Sequence, residues 1–174
     1  MAVVVAVGVV VWLLASGGGG SSSHKAGTPP APTRATPVAA SIAQLQALVA
    51  RQTHPLYWLG PKAGDTYELT QTSDGKIYIR YLPPGIQLGI NVPNYVTVAT
   101  YPQADGFATV TQASKLKGEW IHKIRRGGLA VASPALPKSV YFSYPGAKFM
   151  VEVYDPTPNH ARTLLTSGQV RPIP

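Results

Sequence analysis

Residues 66–82, TYELTQTSDGKIYIRYL, decide how this chain is read. Tyr67 and Leu69 alternate with polar neighbours, and Ile77, Ile79 and Tyr81 alternate with Tyr78 and Arg80. A period of two marks a half-buried strand. Ser73, Asp74 and Gly75 separate the two runs, and Asp-Gly favours a tight hairpin because both residues tolerate positive φ. Pro83-Pro84-Gly85 then ends the second strand.

Working outward, the same chemistry recurs. Residues 139–144 and 148–154 read as a second hairpin around Pro145-Gly146-Ala147. Residues 95–101 are rich in β-branched and aromatic side chains and read as a strand, and Gly127-Gly128 opens another through Leu129 and Val131. Residues 38–52 carry Val38, Ile42, Leu45, Leu48 and Val49 at helical spacing; Ser41 offers an alternative start, with Gln44 completing a capping box. Residues 104–116 and 156–167 predict two more helices, and residues 169–173 a short edge strand. Hairpins dominate, so the fold class is α+β: a largely antiparallel sheet with about three helices on one face. KIYIRYLPP at Lys76 and KFMVEVYDP at Lys148 echo each other, and generic hairpin chemistry accounts for this better than duplication does. If the two hairpins pair, Arg80 and Glu152 meet as a cross-strand ion pair.

The front of the chain has a different character. Residues 2–15, AVVVAVGVVVWLLA, carry no charge. Fourteen helical residues span about 21 Å, short of a roughly 30 Å hydrocarbon core, so the segment suits a membrane anchor or the apolar part of a signal peptide. Ala15-Ser16-Gly17 offers small residues for cleavage, in which case the domain is secreted. Lys25 and Arg34 follow the segment and argue for a cytoplasmic domain, but they are few and distant, and export is the favoured reading. No Lys or Arg precedes the segment, as a start codon placed too late would explain. Residues 17–37 hold almost no large apolar side chain and read as a disordered Gly/Ser/Pro linker with a reach of roughly 25 Å. The expected organisation is thus an anchor or signal over 1–16, a linker over 17–37, and one globular domain over 38–174, preceded by an N-terminal hydrophobic helix.

The chain has 174 residues, no cysteine and a net charge of +8. The lack of cysteine excludes disulfide scaffolds, thiolate metal sites and thiol nucleophiles. The basic balance favours anionic partners without choosing among them. Lys115, Lys117, Lys123, Arg125 and Arg126 form the densest cationic cluster, read as a loop, with Glu119, Trp120 and His122 among them. Such a cluster suits anionic lipid or an acidic cell-envelope polymer, and an exported location makes nucleic acid an unexpected partner.

Catalytic signatures are missing. No GxSxG, P-loop or HExxH pattern occurs, and His24, His54, His122 and His160 form no i,i+4 pair. Glu152 lies mid-strand opposite Phe149, Val151 and Val153. It is the single carboxylate on that strand, where a glycosidase needs a facing pair. A polar site on the second sheet face would comprise Tyr78, Arg80, Tyr141, Glu152 and Tyr154. No metal and no cofactor is expected. The chain therefore reads as a membrane-tethered extracytoplasmic domain, a non-enzymatic binding or accessory module. The alternative is an exported hydrolase with a site near His54, Tyr78, Arg80 and Glu152.

Overall fold

The computed structural model describes residues 35–174. The expected N-terminal helix, its anchor or signal role, and linker residues 17–34 lie outside the described residues. Within them the chain runs β1 (Val38–Ala40), α1 (Ile42–Val49), β2 (Tyr57–Trp58), β3 (Thr66–Gln71), β4 (Ile77–Leu82), β5 (Thr97–Pro102), α2 (Gly106–Ala113), β6 (Trp120–Ile124), β7 (Gly128–Ala132), β8 (Ser139–Ser143), β9 (Phe149–Tyr154), α3 (His160–Thr166) and β10 (Arg171–Pro172). A short 3₁₀ turn, Arg125–Gly127, joins β6 to β7. None of the described helices is long and apolar enough to cross a membrane.

Eight strands form one sheet in the order β1-β3-β4-β5-β9-β8-β7-β6, every neighbouring pair antiparallel. β2 and β10 make a separate two-stranded ribbon. The fold is thus α+β with a mainly antiparallel sheet and three helices, the coarse class that the hairpin pattern implies. The β3–β4 turn differs in detail from the expected Asp-Gly pair. Thr72 N–H reaches Lys76 O at 2.9 Å and Gly75 N–H reaches Thr72 O at 3.0 Å, and of these residues only Gly75 takes positive φ, 79°. This is a three-residue loop, the next commonest hairpin connection.

Both sheet faces are covered, and the reason is visible in the central strands. Val98, Val151 and Val153 point to the first face, while Ala99, Tyr101 and Met150 point to the second. A strand that is apolar on both sides needs packing on both sides. The first face lies beneath α1, α3 and the β2–β10 ribbon: Leu45 packs with Leu69, Ile77 and Ile79, and Leu164 and Leu165 pack with Phe142, Val151 and Val153. Tyr81 fastens the ribbon, accepting from Leu59 N–H at 2.7 Å and donating to Gly60 O at 3.3 Å. The second face lies beneath α2, through Val110 and Ala113. The expectation of all helices on one face is corrected here. α2 takes the opposite side because the residues that need cover lie there.

Three local expectations are also corrected. Residues 38–40 are a strand on β3, and the first helix begins after Ser41, whose hydroxyl accepts from Gln44 N–H at 3.2 Å while Gln44 Oε1 accepts from Ser41 N–H at 2.7 Å. That reciprocal pair terminates the strand and starts the helix within one residue. Residues 120–124 are the edge strand β6 instead of a loop. Residues 171–172 join β2 and stay out of the main sheet.

Candidate functional site

The two hairpins do not pair, since β5 stands between β4 and β9. The Arg80–Glu152 ion pair expected from such pairing is therefore absent, and each residue has other partners. Arg80 lies opposite Glu68 in its own hairpin and bonds Glu68 Oε1 at 2.7 Å. Its remaining donors reach Ile90 O at 3.0 Å and Val92 O at 3.2 Å, and its guanidinium lies 5.4 Å from the Tyr95 ring centre. Glu68 Oε2 accepts from Gly89 N–H at 2.5 Å. The pair thus ties loop 83–96 to the sheet. Sequence reading missed Glu68, although it stands four residues before Thr72 and Arg80 four after Lys76, so the hairpin register alone places them together.

Glu152 is fully enclosed on the second face. Ser139 Oγ donates to its Oε1 at 2.7 Å, Tyr141 Oη donates to the same oxygen at 2.6 Å, and Tyr101 Oη donates to Oε2. Burial pushes the Glu152 carboxyl above its ordinary value, while the three hydroxyls partly oppose that shift. Tyr101 and Tyr141 are raised by burial first and by the Glu152 charge second. Tyr78 is pushed up to about 12 for the same reasons, and its ring meets Tyr101 edge-on at 5.8 Å. Tyr154 lies on this face too, but its hydroxyl turns to Pro93 O at 2.6 Å and helps hold the loop. The five residues of the expected polar site thus share one face in two clusters. Tyr78, Tyr141 and Glu152 belong to the hydroxyl-lined carboxyl; Arg80 and Tyr154 belong to the loop anchor.

His54 is elsewhere. Its ring lies 5.3 Å from that of Phe149, a first-face core residue, so the sheet separates it from Tyr78, Arg80 and Glu152. His160 Nδ1 contacts Asp155 Oδ2 at 2.8 Å, and Asp155 Oδ1 accepts from Thr157 N–H at 2.8 Å, an arrangement that fixes the turn into α3. Among the described residues no group of three or more His, Asp or Glu is placed to hold a metal ion.

The cationic cluster occupies the edge strand β6 and the chain on either side of it. Lys115 and Lys117 precede β6; Lys123 is on it; Arg125 and Arg126 form the turn after it. All five are exposed, and among the described residues none forms an ion pair with a carboxylate. At about 3.3 Å per residue the strand separates its two cationic ends by roughly 13 Å. Trp120 and His122 point to the first face of this strand with rings stacked at 5.6 Å and 10°, and Arg162 of α3 lies 5.5 Å from the Trp120 ring centre. Arg162 was not legible as part of this edge, because about forty residues of chain separate it from Trp120. Arg126 adopts φ 59° and ψ 28°, a left-handed conformation that costs a side-chain-bearing residue about 1 kcal/mol.

No family model, curated protein or solved structure matches this chain.

Proposed function

We propose that this chain is a membrane-tethered, non-enzymatic binding module, held outside the cytoplasm by its N-terminal segment, whose β6 edge engages an anionic polymer of the cell envelope. The observation that carries this reading is the set of five exposed cations on and flanking the edge strand β6, none of them ion-paired among the described residues, with the Arg162–Trp120–His122 stack on the first face of that strand. Clustered cations attract a multivalent anion, and an aromatic stack on the other face of the same strand adds a flat surface for sugar or other ring contacts.

Two further features support it. The two carboxylates on the described strands of the sheet are engaged by structural partners, Glu68 by Arg80 and Glu152 by three hydroxyls. The β6 edge also lies across the whole sheet from β1, where the tether enters. Seven strand spacings of about 4.8 Å put these edges about 34 Å apart, which favours a polymer over the lipid of the tethering membrane.

The test is retention of the full chain on a soluble polyanion such as heparin, compared with the Lys123→Ser/Arg125→Ser/Arg126→Ser variant. An exposed cation contributes roughly 0.5 kcal/mol, so losing three weakens binding about tenfold at low salt, and added salt erases the difference. Equal retention of the two proteins overturns the proposal. Loss of binding to anionic vesicles alone, with heparin retention unchanged, assigns the edge to lipid instead.

A further inference from the structure

The opposite edge of the sheet has the reverse chemistry. Among the described residues the exposed large hydrophobic side chains are Val38, Ile42, Leu88, Ile90 and Ile121, and all but Ile121 belong to β1, the start of α1, or loop 83–96. No Asp, Glu, Lys, Arg or His occurs between residues 35 and 50, or between 83 and 104. The one ion pair beneath the loop, Arg80–Glu68, is turned inward and bonded to loop backbone. The two parts adjoin: a Cβ added at Gly89, between Leu88 and Ile90, would lie 3.7 Å from the Pro37 ring. Pro37 immediately precedes β1, and the 34 residues outside the described chain, including the apolar run at 2–15, join at this corner.

We propose that this uncharged corner rests on the interfacial zone of the bilayer that holds the N-terminal segment, with Leu88 and Ile90 entering the headgroup–acyl boundary. The inference rests on the tethered reading given above. The point where the chain enters selects lipid as the occupant. An anchored segment keeps the domain within its linker's reach of roughly 25 Å, and the surface at the entry point, which meets the bilayer without stretching the linker, is the one without charges to desolvate. The loop is suited to insertion because it is held by the Arg80 contacts to Ile90 O and Val92 O and by the Tyr154 hydroxyl on Pro93 O, so little order has to be imposed on binding. Seating this corner on lipid turns the β6 edge outward, toward the envelope.

The chain has no cysteine, so Leu88→Cys and Lys123→Cys each accept a single nitroxide label at an exposed position. The full chain is mixed with phosphatidylcholine vesicles, and each label is tested for collision with oxygen, which concentrates in lipid, and with a water-soluble nickel chelate. The expected result is a severalfold higher oxygen-to-nickel ratio at 88 than at 123 once vesicles are present. Equal ratios in chain that co-sediments with vesicles overturn the docking while leaving the tether intact. Failure to co-sediment removes the tether reading and this inference with it. A label at 88 that is already shielded before vesicles are added shows that a second copy or the chain's own N-terminal segment covers the corner, and overturns the lipid assignment.

Discussion

Glu152 has no charged partner, and its three hydroxyl donors do not fully replace the water it has lost. Its pKa in the folded chain lies above the ordinary value of 4.5, so the native state holds this proton more tightly than the unfolded chain does. The Glu152 contribution to stability is therefore greatest at or below that pH and is lost as pH rises through the folded pKa. Glu152→Gln should flatten this dependence: melting temperatures of the two proteins measured from pH 4 upward should diverge, with the variant the more stable at neutral pH. A parallel pair of curves would show that the carboxyl is not the group responsible. Arg126 makes a second prediction of opposite sign for fold and function. Arg126→Gly relieves the left-handed strain at φ 59° and should stabilise the domain by up to about 1 kcal/mol, while weakening polyanion retention. Urea denaturation and heparin elution of the same variant read the two effects separately.

At the scale of elements, the close seating of α2 depends on one atom that is missing. A Cβ at Gly106 would stand 2.2 Å from the Phe149 carbonyl oxygen, so the helix meets β9 backbone directly at its first residue. In an exposed helix Gly→Ala gains about 1 kcal/mol. Gly106→Ala should instead lose roughly 2 kcal/mol, since overpacking against backbone forces the helix off the sheet. A rise in denaturation midpoint would mean that α2 moves without penalty. Loop 83–96 is held in another way, by the Arg80–Glu68 pair. Arg80→Met leaves Glu68 buried alone and should cost about 3–5 kcal/mol, and it should open the loop to limited proteolysis. Adding Glu68→Leu should recover much of the stability but not the protection, because the bonds to Ile90 O and Val92 O are lost in both variants. How far these elements were legible depended on periodicity. β3 and β4 alternate about an Asp-Gly turn, β8 and β9 flank a Pro-Gly turn, and all four are legible within a residue or two. β6 was not, because Ile121 is apolar on the solvent side and His122 and Lys123 mask the alternation. β2 and β10 are two residues each, too short for any period.

For the molecule as a whole, the order of strands places two unlike edges at opposite ends of one sheet: β1 beside the uncharged corner, β6 beside the cations. Neither the contrast nor its direction follows from composition, since +8 is a property of the whole chain and says nothing of where charge gathers. The described core draws on residues from Ala40 to Ile173, and the sheet begins at Val38. A chain lacking residues 1–37 should therefore be soluble and melt cooperatively in calorimetry. An insoluble product, or one without a transition, would show that the domain depends on what precedes it.

Alternation and turn chemistry are local, so the sequence by itself determined the hairpins, the Ser41 capping box and the overall α+β class. The Arg80–Glu68 and Tyr141–Glu152 contacts are local to their hairpins, but other partners of charged and polar groups are not. Two hairpins with the same pattern can lie side by side or flank a third strand, and nothing within either one distinguishes the two cases. The insertion of β5 between β4 and β9 kept Arg80 away from Glu152 and brought the Tyr101 hydroxyl to the Glu152 carboxyl, whose other two donors, Ser139 and Tyr141, lie in its own hairpin. The same long-range pairing brought Arg162 onto Trp120 and put His54 behind the sheet, because side chains distant in sequence meet only where the buried faces of the whole sheet require it.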